Sequence, residues 1–155
     1  MKPVATIEVG HQNSAVPATL EHFRFLFNEL DKGNLHKLPS VYSEDIRFQD
    51  PLGAVEGLDA LTQYFANSYA NVISCHFAFE PEVVQDRFAT IPWVMHLRHK
   101  RIRSGREIQV AGISHLEVRN GKICYHRDYF DAGQLLYENL PVVGGVIRWV
   151  KGYAG

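Results

Sequence analysis

Cysteine, net charge and long apolar runs are all scarce in this sequence, and each scarcity excludes a class of protein. The only two cysteines, Cys75 and Cys124, lie outside any CxxC or Cys/His spacing, so neither a disulfide framework nor a metal site is expected. Sixteen Lys and Arg against 17 Asp and Glu leave a net charge of −1, which argues against a nucleic-acid binder that neutralises many phosphates. No apolar run is long enough to span a membrane, and the N-terminus lacks a secretory signal's apolar stretch. We therefore expect a cytoplasmic protein without a transmembrane segment.

What the sequence does contain is enough apolar material for one folded domain. The chain has 155 residues, of which 46% are hydrophobic and 12% aromatic, and a domain of this length can bury a core without disulfide staples. Residues 1–16 show no sustained periodicity and predict a loosely ordered arm. Residues 17–155 predict a single domain.

Helical spacing dominates the first half of the domain, and alternation dominates the second half. Apolar residues recur at helical intervals over about 17–32, 35–42 and 57–71, whereas alternating runs rich in Val, Ile, Phe and Tyr predict long strands afterwards. Asn120-Gly121 is a favoured two-residue hairpin loop, which indicates antiparallel neighbours. This order predicts an α+β fold whose N-terminal helices pack on the concave face of a curved antiparallel sheet. An extra C-terminal helix is predicted over about 132–152. The predicted strands cover residues 46–49, 73–82, 87–101, 106–119 and 122–131.

Two carboxylates lie among aromatic residues and are candidates for acid/base chemistry. Asp50 precedes Pro51 at the end of a predicted strand, where an Asp also commonly bonds a nearby backbone amide within a turn. Asp128 lies on the last strand, two residues after His126, so the two side chains share one face and proton transfer between them is geometrically available. The alternatives are a salt bridge for Asp128 and a hydrogen-bonded core position for His126. Alternation alone leaves open which face points inward.

Neither a metal nor a cofactor is expected from the motifs. His96 and His99 are three residues apart on a strand and so point to opposite faces, which does not give a metal pair. The sequence also lacks a glycine-rich nucleotide loop and a GxSxG nucleophile motif.

Several short motifs, taken in order, resemble the nuclear transport factor 2-like, or SnoaL-like, superfamily. The resemblance runs from about Pro17 to Asp131 and implies a cone-shaped α+β domain that encloses a cavity, as in ketosteroid isomerases, limonene epoxide hydrolase and polyketide cyclases. On this resemblance, residues 17–155 are expected to form one SnoaL-like domain. The markers are Leu30-Asp31-Lys32-Gly33, Tyr42-Ser43-Glu44-Asp45-Ile46, Gln49-Asp50-Pro51-Leu52-Gly53, Glu56-Gly57 and Asn120-Gly121-Lys122-Ile123.

The resemblance also implies roles for individual residues. Asp50 is similar in its setting to the general base of ketosteroid isomerases. Asp128 is similar to an aspartate of limonene epoxide hydrolase. Asp128 with His126, or alternatively Asp50, is similar to the aspartate and histidine of SnoaL-type cyclases. Leu26 and Phe65 stand where the isomerase has its oxyanion-hole tyrosines, so isomerisation of the steroid type is not expected.

These observations give two hypotheses for function. In the first, the domain binds a small hydrophobic molecule and catalyses isomerisation, cyclisation or hydrolysis without a cofactor, using Asp50, Asp128 and His126. In the second, it is a non-catalytic ligand-binding or dimerisation domain. The resemblance further implies a homodimer formed through the outer face of the sheet, where Ile113, Tyr125 and Tyr129 are candidates. The residues expected to contact the ligand are Phe48, Phe65, Trp93, Met95, Leu97, Ser114, Leu116 and Phe130.

Overall fold

The computed structural model of the chain describes residues 15–136, 139 and 143–154. Residues 1–14 of the predicted arm therefore lie outside the described residues, and residues 15 and 16 belong to the first helix. Within the described residues, no helix is long and apolar enough to cross a membrane.

The helices follow the predicted apolar stripes with small shifts at their ends. The predicted second helix is a 3₁₀ helix at Leu35–Ser40, because Pro39 removes a backbone donor from a continuing α-helix. The buried side of the first helix includes Leu20, Phe23 and Phe27, which belong to the predicted stripe. The α-helices are α1 (Ala15–Glu29), α2 (Leu58–Tyr69), α3 (Ala132–Leu135) and α4 (Val143–Ala154).

Seven strands form one curved sheet, and the fold is α+β as predicted. The strand order is β2-β1-β7-β6-β5-β3, with β4 paired to β5 outside this path. All pairs are antiparallel except β1 with β7, which are parallel, so the sheet is mixed rather than wholly antiparallel. The strands are β1 (Tyr42–Asp50), β2 (Gly53–Glu56), β3 (Val72–Phe79), β4 (Val83–Gln85), β5 (Phe88–His99), β6 (Ile108–Arg119) and β7 (Lys122–Phe130).

The inward face of the sheet carries the side chains that alternation left unassigned. Phe48 on β1 and Leu116 on β6 both pair with His126 on β7, and Ser114 on β6 pairs with Asp128. Because residues opposite each other across neighbouring strands share a face, these five side chains point to the same side. Helices α1 and α2 pack against this side, in a core that includes Phe48 and Leu116.

The C-terminal region, where helical structure is predicted over about 132–152, contains the two helices α3 and α4. Asp131 caps α3 by accepting a hydrogen bond from the backbone N–H of Gln134. The ammonium of Lys151 on α4 is 2.6 Å from the Asp131 carboxylate, which ties α4 to the end of β7. Residues 137–138 and 140–142 of the predicted 132–152 helix lie outside the described residues.

Candidate functional site

A pocket of about 210 Å³ lies on the inward side of the sheet, bordered by α2 and α3. Its wall is predominantly apolar and aromatic, and the sheet supplies most of it. Among the predicted ligand contacts, six line the pocket: Phe48, Phe65, Trp93, Met95, Leu97 and Phe130.

The other two predicted ligand contacts lie in the core instead. Leu116 has no exposed surface and packs in the core under His126, its cross-strand neighbour. Ser114 is 2% exposed and hydrogen-bonds Asp128, which does line the pocket. Alternation places both side chains on the same face of β6, and the structure shows that this face points inward. Their depth depends on which helix packs over each position.

Asp128 connects the pocket to a buried hydrogen-bond network. Its Oδ1 accepts a hydrogen bond from the Ser114 hydroxyl at 2.5 Å and lies 2.7 Å from Nε2 of His126. Within the described part of the chain, both hydrogen bonds go to Oδ1 and none goes to Oδ2. The carboxylate therefore has one oxygen held by the protein and one oxygen with free acceptor capacity. Asp128 lines the pocket, so its carboxylate borders the space that a ligand would occupy.

His126 lies behind Asp128 and has no exposed surface. Its Nδ1 is 2.7 Å from the Tyr42 hydroxyl, and the rings of Phe23, Phe27 and Phe48 meet it edge to face. Burial, followed by the charge of Asp128, raises the pKa of Tyr42, so this phenol keeps its proton. If Tyr42 donates to Nδ1, then Nε2 carries the proton of the hydrogen bond to Asp128, and no buried side-chain N or O atom among the described residues lacks a partner. We therefore assign His126 the neutral tautomer with its proton on Nε2, because this tautomer gives each of these polar atoms a partner.

The network extends from Ser114 to the wall of the pocket. Trp93 Nε1–H donates to Ser114 Oγ at 2.9 Å, and Ser114 in turn donates to Asp128. A hydroxyl that receives one hydrogen bond has its own proton directed toward the remaining acceptor, so Trp93 orients Ser114 toward Asp128. The sequence pattern placed Trp93 and Ser114 at the ligand but did not reveal this connection.

Asp50 has a different environment, at the turn between β1 and β2. Its Oδ1 accepts the backbone N–H groups of Leu52 at 2.8 Å and Gly53 at 2.9 Å, which is the turn role considered as an alternative from the sequence. The Tyr64 hydroxyl lies 2.7 and 2.8 Å from its two oxygens. Burial, then the hydrogen bond to Asp50 and its charge, raise the pKa of Tyr64, so the phenol remains a donor. Asp50 lines the pocket as predicted, but its acceptor sites are far more fully used than those of Asp128.

Tyr64 is a lining residue that the sequence reasoning missed. It follows Leu61 by three positions on α2, so helical spacing places it near that buried stripe. This helical spacing could have placed Tyr64 near the pocket, but its contact with Asp50, 14 positions earlier, is not visible in any local pattern.

The remaining titratable side chains in the pocket wall are uncharged near neutral pH. Burial raises the pKa of Cys75 to about 12, although its hydrogen bond with Tyr69 acts in the opposite direction. Burial also raises the pKa of the Tyr69 phenol. Burial, helped by the charge of Arg101, lowers the pKa of His99. Cys75 is therefore a thiol rather than a nucleophilic thiolate.

The described residues contain no group of three His, Cys, Asp or Glu side chains placed to hold a metal ion. The polar groups at the pocket are instead suited to proton transfer and hydrogen bonding. Asp128 can accept a proton through Oδ2 while Oδ1 keeps its hydrogen bonds to Ser114 and His126.

Comparison with known families identifies this architecture. A model of the SnoaL-like domain matches residues 23–126, which is more than half of the chain. The chain belongs to the SnoaL-like family. No curated protein matches the chain at a significant level.

Solved structures of the same fold share little sequence with this SnoaL-like chain. A Catenulispora acidiphila protein with a ketosteroid isomerase-like fold, in complex with trimethylamine, has a TM-score of 0.69 and 16% identity over 80% of this chain and 93% of that one. An LEH-like epoxide hydrolase from M. tuberculosis has a TM-score of 0.66 and 12% identity, covering 87% and 96% of the two chains. A candidate SnoaL-like polyketide cyclase from Jannaschia sp. CCS1 has a TM-score of 0.65 and 13% identity, covering 81% and 92%. These similarities show a shared fold.

Proposed function

We propose that this SnoaL-like protein binds a small, largely apolar molecule in the pocket and moves a proton on it, with Asp128 as the proton acceptor. The observation that carries the proposal is that the two oxygens of the Asp128 carboxylate differ in their hydrogen bonding. Oδ1 is held by Ser114 and His126, while Oδ2 keeps free acceptor capacity in a carboxylate that lines the pocket. A base that is oriented before the ligand arrives needs little rearrangement in the transition state.

The proposed step is the transfer of a proton from a ligand C–H, or from a water molecule, to Oδ2 of Asp128. Returning the proton to a different atom of the ligand isomerises it or completes a cyclisation. Deprotonating a water that adds to the ligand gives hydrolysis. The family contains relatives named for each kind of chemistry, and this range supports the reaction class without choosing among its members.

His126 acts through Asp128 in this proposal and is a positioning residue. Its side chain is buried behind the carboxylate, so it has no surface to offer the ligand. Asp50 and Tyr64 form the second polar group of the pocket, and we propose that they bind a polar atom of the ligand.

Incorporation of deuterium or ¹⁸O from the solvent into the ligand tests the proposal. The full chain is incubated in D2O with apolar cyclic enones, and in ¹⁸O-water with apolar epoxides, and products are read by mass spectrometry. We expect deuterium or ¹⁸O incorporation that falls by about 10²- to 10⁴-fold in Asp128→Asn, the usual contribution of a general base. In that variant the amide oxygen can keep the bonds to Ser114 and His126, so the fold is expected to survive.

Two further variants distinguish proton transfer by Asp128 from ligand binding by Asp50 and from positioning by His126. Asp50→Asn is expected to weaken ligand binding more than it slows turnover. His126→Gln is expected to change the pH profile of turnover, which a purely structural role would leave unmoved. Unaltered incorporation in Asp128→Asn would exclude Asp128 as the base.

The second candidate function is non-catalytic binding, and the environment of Asp50 favours it. A carboxylate that already accepts two turn amides and a phenol has a structural role that requires no chemistry. Native mass spectrometry of the purified chain, followed by denaturing extraction, tests this alternative. A co-purifying small molecule that is recovered without isotope incorporation would support binding alone.

A further inference from the structure

The pocket wall has an unbalanced charge. Among the described lining residues there are two carboxylates, Asp50 and Asp128, and no Lys or Arg. The hydrogen bonds to Asp50 come from backbone amides and a phenol, all of which are neutral donors. Both carboxylates therefore receive hydrogen bonds without receiving a full positive charge from the pocket wall.

The two arginines next to the pocket strands' inward residues, Arg47 and Arg127, lie on the outer face of the sheet and do not reach the carboxylates. Arg127 precedes Asp128 on β7 and lies over the ring of Tyr129, while Arg47 on β1 lies over Tyr125. Tyr125, Arg127 and Tyr129 alternate with His126 and Asp128, so they belong to the outer face of the sheet. His126 does contact Asp128, but in the assigned neutral tautomer it donates a hydrogen bond and brings no positive charge.

The apolar part of the wall is suited to a cation as well as to a hydrocarbon. Aromatic rings present a negative face, which attracts an ammonium group within about 6 Å of the ring centre. Phe65, Phe77, Trp93 and Phe130 all line the pocket, and Trp93 is within 5.4 Å of Phe77 and 6.2 Å of Phe130 between ring centroids. A half-buried carboxylate is stabilised by a positive charge nearby, and among the described residues that line the pocket no Lys or Arg supplies one to Asp50 or Asp128. A cationic ligand would supply it.

We propose that the ligand of this pocket is a cationic amine, whose protonated or quaternary nitrogen lies beside the carboxylate of Asp128 and whose apolar body contacts the aromatic wall. This inference rests on the proposed function, because it names the chemical class of molecule that the same pocket accepts. It also excludes carboxylates and phosphates of similar size, since these would add a third negative charge.

Two molecules of the same shape and different charge test the inference. Phenyltrimethylammonium and tert-butylbenzene differ by the replacement of a positive nitrogen with a carbon. Trp149→Phe removes the second of the two tryptophans, which is 70% exposed on α4, and leaves Trp93 in the pocket as the fluorescent reporter. Each compound is titrated into the full chain carrying this change, and then into the same chain with Asp128→Asn added.

We expect phenyltrimethylammonium to bind at least about ten-fold more tightly than tert-butylbenzene, and the ratio to approach one in Asp128→Asn. Asp59→Asn is the matched control, since it removes the same charge from an exposed position in the first turn of α2 and is expected to leave the ratio unchanged. Thermal unfolding of each variant checks that the fold is retained.

The outcomes separate this inference from the proposed function. Equal or tighter binding of tert-butylbenzene would overturn the preference for a cation and leave an apolar ligand site in place. A preference for the ammonium compound that persists in Asp128→Asn would overturn the placement of the nitrogen at Asp128. No change in Trp93 fluorescence with either compound at millimolar concentration would overturn both the inference and the proposed small-molecule pocket.

Discussion

The indole of Trp93 occupies the space in which a side chain at position 112 would stand. A Cβ built on Gly112 would come within 2.5 Å of Cζ2 and 2.7 Å of Cζ3 of that ring. The two residues pair across β5 and β6, and the missing side chain allows the indole N–H to reach Ser114. The orientation of Asp128 therefore depends, through Ser114 and Trp93, on a glycine that has no polar side chain of its own.

Gly112→Ala is expected to destabilise the protein by about 1–3 kcal/mol, because the ring must move and the site is already closely packed. The same displacement is expected to break the hydrogen bond from Trp93 to Ser114. Urea unfolding measures the first effect, and Trp93 fluorescence in the Trp149→Phe background reports the second. Gly145→Ala on α4 is the control, since no described atom beyond its chain neighbours and its own helix backbone lies within 4 Å of the added Cβ. Equal stability of the two alanine variants would contradict the steric account.

Tyr42→Phe is expected to cost about 1–3 kcal/mol of folding free energy, the usual penalty when a buried polar atom loses its partner. The substitution removes the hydroxyl beside Nδ1 of His126, in a place with no access to water. Tyr64→Phe is the matched control, because Asp50 keeps its two turn amides and Tyr64 is less deeply buried. Denaturant unfolding compares the two variants. A smaller loss for Tyr42→Phe than for Tyr64→Phe would contradict the assigned His126 tautomer.

Cys75 is expected to react slowly with iodoacetamide in the folded protein at pH 8. Burial raises its pKa from 9.0 to about 12, so the reactive thiolate is a very small fraction at that pH. Because the thiol's pKa is higher in the folded state, its contribution to the free energy of unfolding is fully present below pH 9. This contribution is lost as the pH rises from 9 to 12. Mass spectrometry of labelled peptides, native against urea-unfolded, provides the measurement. Equal labelling rates in the two states would show that Cys75 is not shielded.

A homodimer through the outer face of the sheet remains a prediction from the family resemblance. Tyr129 is 45% exposed on this face, and Ile113 and Tyr125 lie beside it half-buried. We expect a dimer in sedimentation experiments at micromolar concentration, and Tyr129→Glu is expected to shift it toward monomer by placing a charge in the contact. Phe25→Glu is a control, because this exposed residue lies on α1. A monomeric unmodified chain would refute the prediction.

The residues of the site that the sequence could predict are those governed by local periodicity. His126 and Asp128 are two positions apart on one strand, so alternation alone places them on the same face, and they do form a hydrogen bond. The same rule places Trp93, Met95 and Leu97 together in the pocket wall.

Relationships between distant segments could not be predicted in this way. The parallel pairing of β1 with β7 joins strands that are far apart in the chain, and no local pattern encodes it. The burial of His126 behind Asp128, and of Leu116 beneath it, depends on which helix covers each row of the sheet. Tyr64 reaches Asp50 across a turn and a short strand, so its role depends on the helix orientation rather than on spacing.

The pairing of β1 with β7 also determines when the site can form during folding. Tyr42 and His126 are separated by 84 positions, and they meet only when the last strand of the sheet docks beside the first. Contacts between such distant segments form slowly, because a long loop must be closed before they contribute any stabilising energy. On a ribosome, α1, α2 and six strands emerge before the residues that complete the network, so a chain interrupted before β7 contains neither Asp128 nor the histidine that orients it.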